Sequence, residues 1–185
     1  MFAFVCFVIV FTVTTIRGNC DSSLSVDLLD GCIFNSLLAC VEKCGWVLSR
    51  EICGQSVDAE SFDVPPVIYF DFADPDKLYM LIFIGLGGSR EESKPTLLWA
   101  VMNIPGSALI HGMTYMDGDT VMDYIAPVPW MNEHRFGFYL YEQLDGISYP
   151  PMQSGHGELD LADWINSIYP KGTLCGPIAS IGFKA

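Results

Sequence analysis

KLYMLIFIGLGGSREESKPTLLWAVMNIPG, residues 77–106, holds two apolar runs separated by a stretch rich in glycine and charge. Short runs of aromatic and β-branched side chains bounded by Gly, Pro and Asp read as strands. Tyr79 to Leu86 is almost continuously apolar, which predicts a central strand covered on both faces. Working outward, VIYFDF (67–72) and FGFYLYEQ (136–143) repeat the texture, with ADPD (73–76), GGSREESKP (87–95) and IPGS (104–107) as turn clusters. The expected fold is mostly β, an antiparallel β-sandwich.

Helical spacing appears at both ends of this region. In VDLLDGCIFNSLLACVEKCGWV (26–47), Leu29, Ile33, Leu37, Cys40, Cys44 and Val47 recur at steps of three and four. That predicts a Cys-rich N-terminal helix with Cys40 and Cys44 on one face. In LDLADWINSIY (159–169), Leu159, Ala162, Ile165 and Tyr169 share a face, and Pro170 and Gly172 end the run, so a C-terminal helix is expected. Its acidic residues, Glu158 to Asp163, read as a solvated face and dipole-compensating first turn.

The chain opens with an apolar run from Phe2 to Val13 that turns polar afterwards. It is too short to span a bilayer and the right length for a signal-peptide core, so residues 1–18 are expected to be a secretory signal cleaved after Gly18. The lack of an early Lys or Arg leaves a retained anchor as the alternative. The remainder divides into a Cys-rich segment, 19–60, and a β domain, 61–185. The mature chain is expected to have no transmembrane segment and to be secreted and extracellular.

Removing Cys6 with the signal leaves six cysteines, Cys20, Cys32, Cys40, Cys44, Cys53 and Cys175. An even number in an oxidising compartment predicts disulfides, in a pairing that sequence does not decide. Five of them lie between Cys20 and Cys53, so the front region is stapled to itself with a link elsewhere, or one thiol stays free; Cys175 is the odd one out. Zinc on Cys40 and Cys44 is the weaker alternative, and no metal or cofactor is expected. The net charge of −13 disfavours nucleic acid and adsorption to anionic lipid, so any lipid contact needs a defined pocket.

Three stretches in this order, residues 77–106, GDTVMDYIAPVPWMNEHRFGFYLYEQ (118–143) and GTLCG (172–176), resemble the phosphatidylethanolamine-binding protein family. The resemblance covers roughly Val67 to Gly176, and its most specific elements are Asn103 to Gly106, Asp123 to Ile125 and Glu133 to Gln143. It implies a β-sandwich with a small anion pocket at one end and the last helix near its mouth. His134 and Arg135 match the family's Gly-x-His-Arg motif, whose histidine helps line that pocket, and Pro129 belongs to the same polar set.

The matching positions also depart from the family. Its Gly is replaced at Asn132-Glu133-His134, and its acidic loop by Gly85-Leu86-Gly87-Gly88. Its second pocket histidine becomes Leu98, and the tyrosine after the first becomes Phe136. Gly85 and Gly87 offer backbone N–H groups for an anion nest, whereas Leu98 and Phe136 favour an apolar ligand. A phospholipid head group or small apolar ligand is therefore expected at His134, Pro129, Gly85, Gly87, Leu98 and Phe136. The alternative is a pocket filled by side chains in a protein-interaction or inhibitor module, with a protein partner.

His111 and His156 sit in turn contexts and are expected to be exposed. Catalysis through Cys175, His134 and Asp123 or Glu133 lacks any signature motif, so binding rather than enzymatic turnover is expected.

Overall fold

The computed structural model describes residues 32, 35–41, 45–86, 95–127, 135–144, 146, 161–168 and 173–185. Nine strands lie among them: β1 (Asn35–Ser36), β2 (Leu38–Val41), β3 (Trp46–Leu48), β4 (Val67–Tyr69), β5 (Leu78–Leu86), β6 (Thr96–Pro105), β7 (Asp119–Met122), β8 (Arg135–Gln143) and β9 (Leu174–Lys184). Two α-helices, α1 (Gly106–His111) and α2 (Leu161–Ile168), and two short 3₁₀ turns complete the described elements. The protein is mostly β, as its sequence texture predicts.

The strands form a six-stranded sheet in the order β1-β9-β8-β5-β6-β7 and a three-stranded sheet in the order β3-β2-β4. Pairing is antiparallel except at the edge, where β1 runs parallel to β9. β5 is the central strand expected for Tyr79 to Leu86: it lies between β8 and β6 and is buried throughout that run. Successive side chains leave a strand on opposite faces, so this one strand feeds two cores. Leu81 and Phe83 join Leu37, Ala39, Val41, Leu48 and Ile68 of the smaller sheet's side. Met80, Ile82 and Ile84 join Trp164 and Ile165 of α2 on the other.

The N-terminal helix is not what the described residues adopt. Asn35–Ser36, Leu38–Val41 and Trp46–Leu48 are strands. In β2, burial alternates, with Ala39 and Val41 inside and Leu38 and Cys40 half-exposed. The buried set is Leu37, Ala39 and Val41, at period two and not at steps of three and four, and Gly45, at φ +67°, takes the left-handed backbone just before β3. β2 then gains a partner on each side, pairing Cys40 with Val47 and with Val67. The C-terminal helix holds over Leu161–Ile168, with Trp164 and Ile165 buried.

β7 and β9 carry no clear strand signal. In β9 the apolar core residues Ala179, Ile181 and Phe183 alternate with Ser180 and Gly182, which are also buried, so the run looks neither uniformly apolar nor cleanly amphipathic. The pairing with β8 over its length, not local propensity, makes it a strand.

Cys32 and Cys53 are joined by a disulfide spanning 21 positions. Cys53 is fixed to β9, its Sγ accepting from Gly182 N–H at 3.3 Å while Gly54 N–H donates to Gly182 C=O at 2.8 Å. The crosslink thus ties the front segment to β9 of the large sheet. Replacing both cysteines with serine is expected to lower the unfolding free energy by about 3 kcal/mol, read from denaturant melts without reductant. Cys175 is also disulfide-bonded. Cys40 departs from the expectation: its thiol is free, because β2 turns it to the outer, half-exposed face of the small sheet. Burial pushes that thiol above its usual pKa. Cys20 and Cys44 lie outside the described residues, as do residues 1–18.

Candidate functional site

Three of the six expected site residues converge. Gly85 near the end of β5 pairs with Phe136 of β8 and with Thr96 of β6. A Cβ on Gly85 would stand 3.2 Å from the Phe136 ring and 3.3 Å from Leu98 Cδ1. The missing side chain is therefore a notch in the backbone, crowded from one neighbouring strand by a ring and from the other by a leucine. Phe136 and Leu98 are both buried, 5% and 8% exposed. His134, Pro129 and Gly87 lie outside the described residues.

The surroundings continue the apolar character. Phe136 packs on Phe183 at 5.3 Å and on Phe83 at 6.1 Å between ring centroids, and Phe183 stacks on Phe62 at 4.3 Å. The segment after β7 closes one side, with Ile125 N–H donating to Leu98 C=O at 2.8 Å. Tyr124 lies parallel to Phe83 at 5.8 Å and edge-on to Trp99 at 5.5 Å, and its hydroxyl donates to Phe62 C=O at 2.7 Å. Burial, with Asp63 adding repulsion, pushes the Tyr124 hydroxyl pKa far up, so it is a neutral donor at any physiological pH. Sequence reading missed Phe83 and Phe183 as neighbours of Phe136, and Phe62 behind Phe183. The register Phe136 to Phe183 is the signal that reveals them, and it needs β9.

The remaining motif residues have structural roles. Asn103 is at φ +54°, and its backbone N–H donates to Gln143 Oε1 at 2.7 Å. Gln143 Nε2 returns a bond to Asn103 Oδ1 at 2.8 Å, and Asn103 Nδ2 reaches Asp119 Oδ2 at 2.6 Å. Two sequence stretches forty residues apart are thus stitched by side-chain amides that satisfy one another inside the sheet. Arg135 opens β8 opposite Leu86 and Lys184, half-exposed. His111 is exposed, as expected, but as the last residue of α1 and not in a turn. Asp123 is exposed, and the disulfide at Cys175 removes that sulfur as a nucleophile. His156 and Glu133 lie outside the described residues.

Comparison with solved structures places this architecture. The crystal structure of carboxypeptidase Y inhibitor complexed with its cognate proteinase superposes with a TM-score of 0.58, at 15% identity, over 80% of this chain and 81% of that one. A phosphatidylethanolamine-binding protein homologue from Chlamydia trachomatis gives 0.53 at 15% identity, over 72% of this chain and 90% of that one. The chain has the phosphatidylethanolamine-binding protein fold. Among curated proteins, MOTHER of FT and TFL1 homolog 2 of Oryza sativa subsp. japonica is 31% identical over 105 residues, which cover 53% of this chain and 57% of that protein. The match therefore spans just over half the length of that relative. No family model matches the chain. The resemblance carried by residues 77–106, 118–143 and 172–176 thus agrees with the fold. Within the phosphatidylethanolamine-binding protein fold, the buried side chains of Leu98 and Phe136 flank Gly85 at the end of the central strands. Among the described residues, no helix is long and apolar enough to cross a membrane.

Proposed function

We propose that this chain is a secreted binding protein of the phosphatidylethanolamine-binding type, acting by binding rather than catalysis, whose ligand end takes a small apolar group and not a phosphate head group. One observation carries the reading: Phe136 and Leu98 both crowd the space beside Gly85, so this wall offers carbon surface where an anion needs donors. The disulfides at Cys32–Cys53 and Cys175 support an oxidising, extracellular location. Calorimetric titration with phosphoethanolamine is expected to give no binding heat. Stoichiometric binding that disappears in His134→Ala would restore the head-group reading.

A second reading is a protein-interaction or inhibitor module. It is favoured by the fold-level likeness to an inhibitor seen bound to a proteinase, and by a site wall already filled by its own side chains. In this reading substitutions at Gly85, Leu98 or Phe136 change stability without changing partner binding.

A further inference from the structure

The turn joining the bridge at Met113 to β7 is built to hold two large side chains out in solvent. Tyr115 is 62% exposed and Met116 75%. Their backbone is nevertheless fixed. Thr114 N–H and Oγ1 both donate to Asp117 Oδ2 at 2.8 Å, Met116 N–H donates to Thr114 Oγ1 at 3.3 Å, and Asp117 N–H donates to Thr114 C=O at 3.1 Å.

Each end of the turn is anchored to a different sheet. Met113, fully buried, exchanges backbone bonds of 3.0 and 2.8 Å with Ile68 of β4. Asp119 pairs with Met102 of β6, and Gly118, at φ +119°, passes so close that a Cβ would stand 2.6 Å from Met102 C=O. An exposed aromatic next to an exposed methionine is the side-chain chemistry enriched at interface centres, and a pre-fixed backbone removes much of the ordering cost of binding.

Charge selects the kind of partner. No lysine or arginine occurs from Pro95 to His134, while Asp117 and Asp119 flank the tip and the whole chain carries −13. An anionic membrane and a second copy of the chain are both repelled by that field. We propose that the Tyr115–Met116 tip is a protein-docking element that enters an apolar pocket with a basic rim. This deepens the interaction-module reading and rests on it.

The test is selection on the full chain of a phage-displayed library of small folded domains with a randomised concave face, followed by binding of the enriched domains in purified form. The expected binders combine an apolar or aromatic pocket with Lys or Arg at its rim and weaken as salt rises. Tyr115→Ser with Met116→Ser should weaken them by about 30-fold, whereas Phe72→Ser, equally exposed elsewhere, should leave them unchanged. An unaltered melting temperature of the double variant separates lost contact from lost fold. Binders indifferent to the double variant overturn the tip and leave the interaction reading standing. A library that yields no binder to the wild type counts against both. Binding of phosphatidylserine vesicles that the double variant loses would make the tip a membrane anchor and overturn the proposal.

Discussion

Phe83→Ala is expected to lower the unfolding free energy by about 3–5 kcal/mol, among the largest effects of any single truncation in this protein. Phe83 is fully buried at the middle of β5. Its ring stacks on Phe138 at 4.2 Å and on Tyr124 at 5.8 Å, and lies within 6.4 Å of Phe183. Removing it opens a void bordered by three strands, which hydrogen-bonded neighbours cannot collapse to fill. Phe72→Ala is the control. That ring is 76% exposed, and its loss is expected to change stability by about 0.5 kcal/mol or less. Paired thermal melts measure both, with a fall of roughly 10 °C expected for Phe83→Ala and almost none for Phe72→Ala.

Gly106→Ala is expected to be comparably severe, on the order of 4 kcal/mol, through overlap in place of a void. A Cβ at position 106 would sit 1.9 Å from Asp74 C=O oxygen and 3.0 Å from the Tyr79 ring. The obstacle is backbone, held by Lys77 N–H donating to Asp74 C=O and Gly106 N–H donating to Lys77 C=O. Tyr79 Oη accepts from Asp74 N–H at 2.8 Å, so the turn before β5 cannot swing away without losing several bonds together. Ser107→Ala, one position on and exposed, is expected to be nearly neutral. Denaturant midpoints of the two variants, or failure of Gly106→Ala alone to accumulate as folded protein, check this.

Much of the β framework was legible because burial on two faces leaves an unbroken apolar run, as in Tyr79 to Leu86, and because Gly, Pro and Asp mark its ends. The front segment was misread because its pairing is not written in its own spacing. Leu37, Cys40 and Val47 satisfy a helical step, but Ala39 and Val41 bury at period two once β4 and β3 flank β2. That choice is made by partners distant in sequence. The same holds for β9, whose strand state depends on β8, and for the free thiol of Cys40, which depends on which face of β2 it occupies.

The candidate site was legible at Gly85, Leu98 and Phe136 because each replaces a residue type that the family resemblance implies. Their mutual fit was not. A glycine gives no sign in sequence of which ring will lie over it; only the register of β5 against β8 sets Gly85 opposite Phe136.

Native mass spectrometry of the protein secreted from eukaryotic cells, alongside His134→Ala, tests the central claim most directly. The account predicts a mature mass lacking residues 1–18 and a stoichiometric adduct of a small, neutral, apolar molecule. A phosphate-bearing adduct lost in His134→Ala, or a bare protein mass with no adduct, would contradict it.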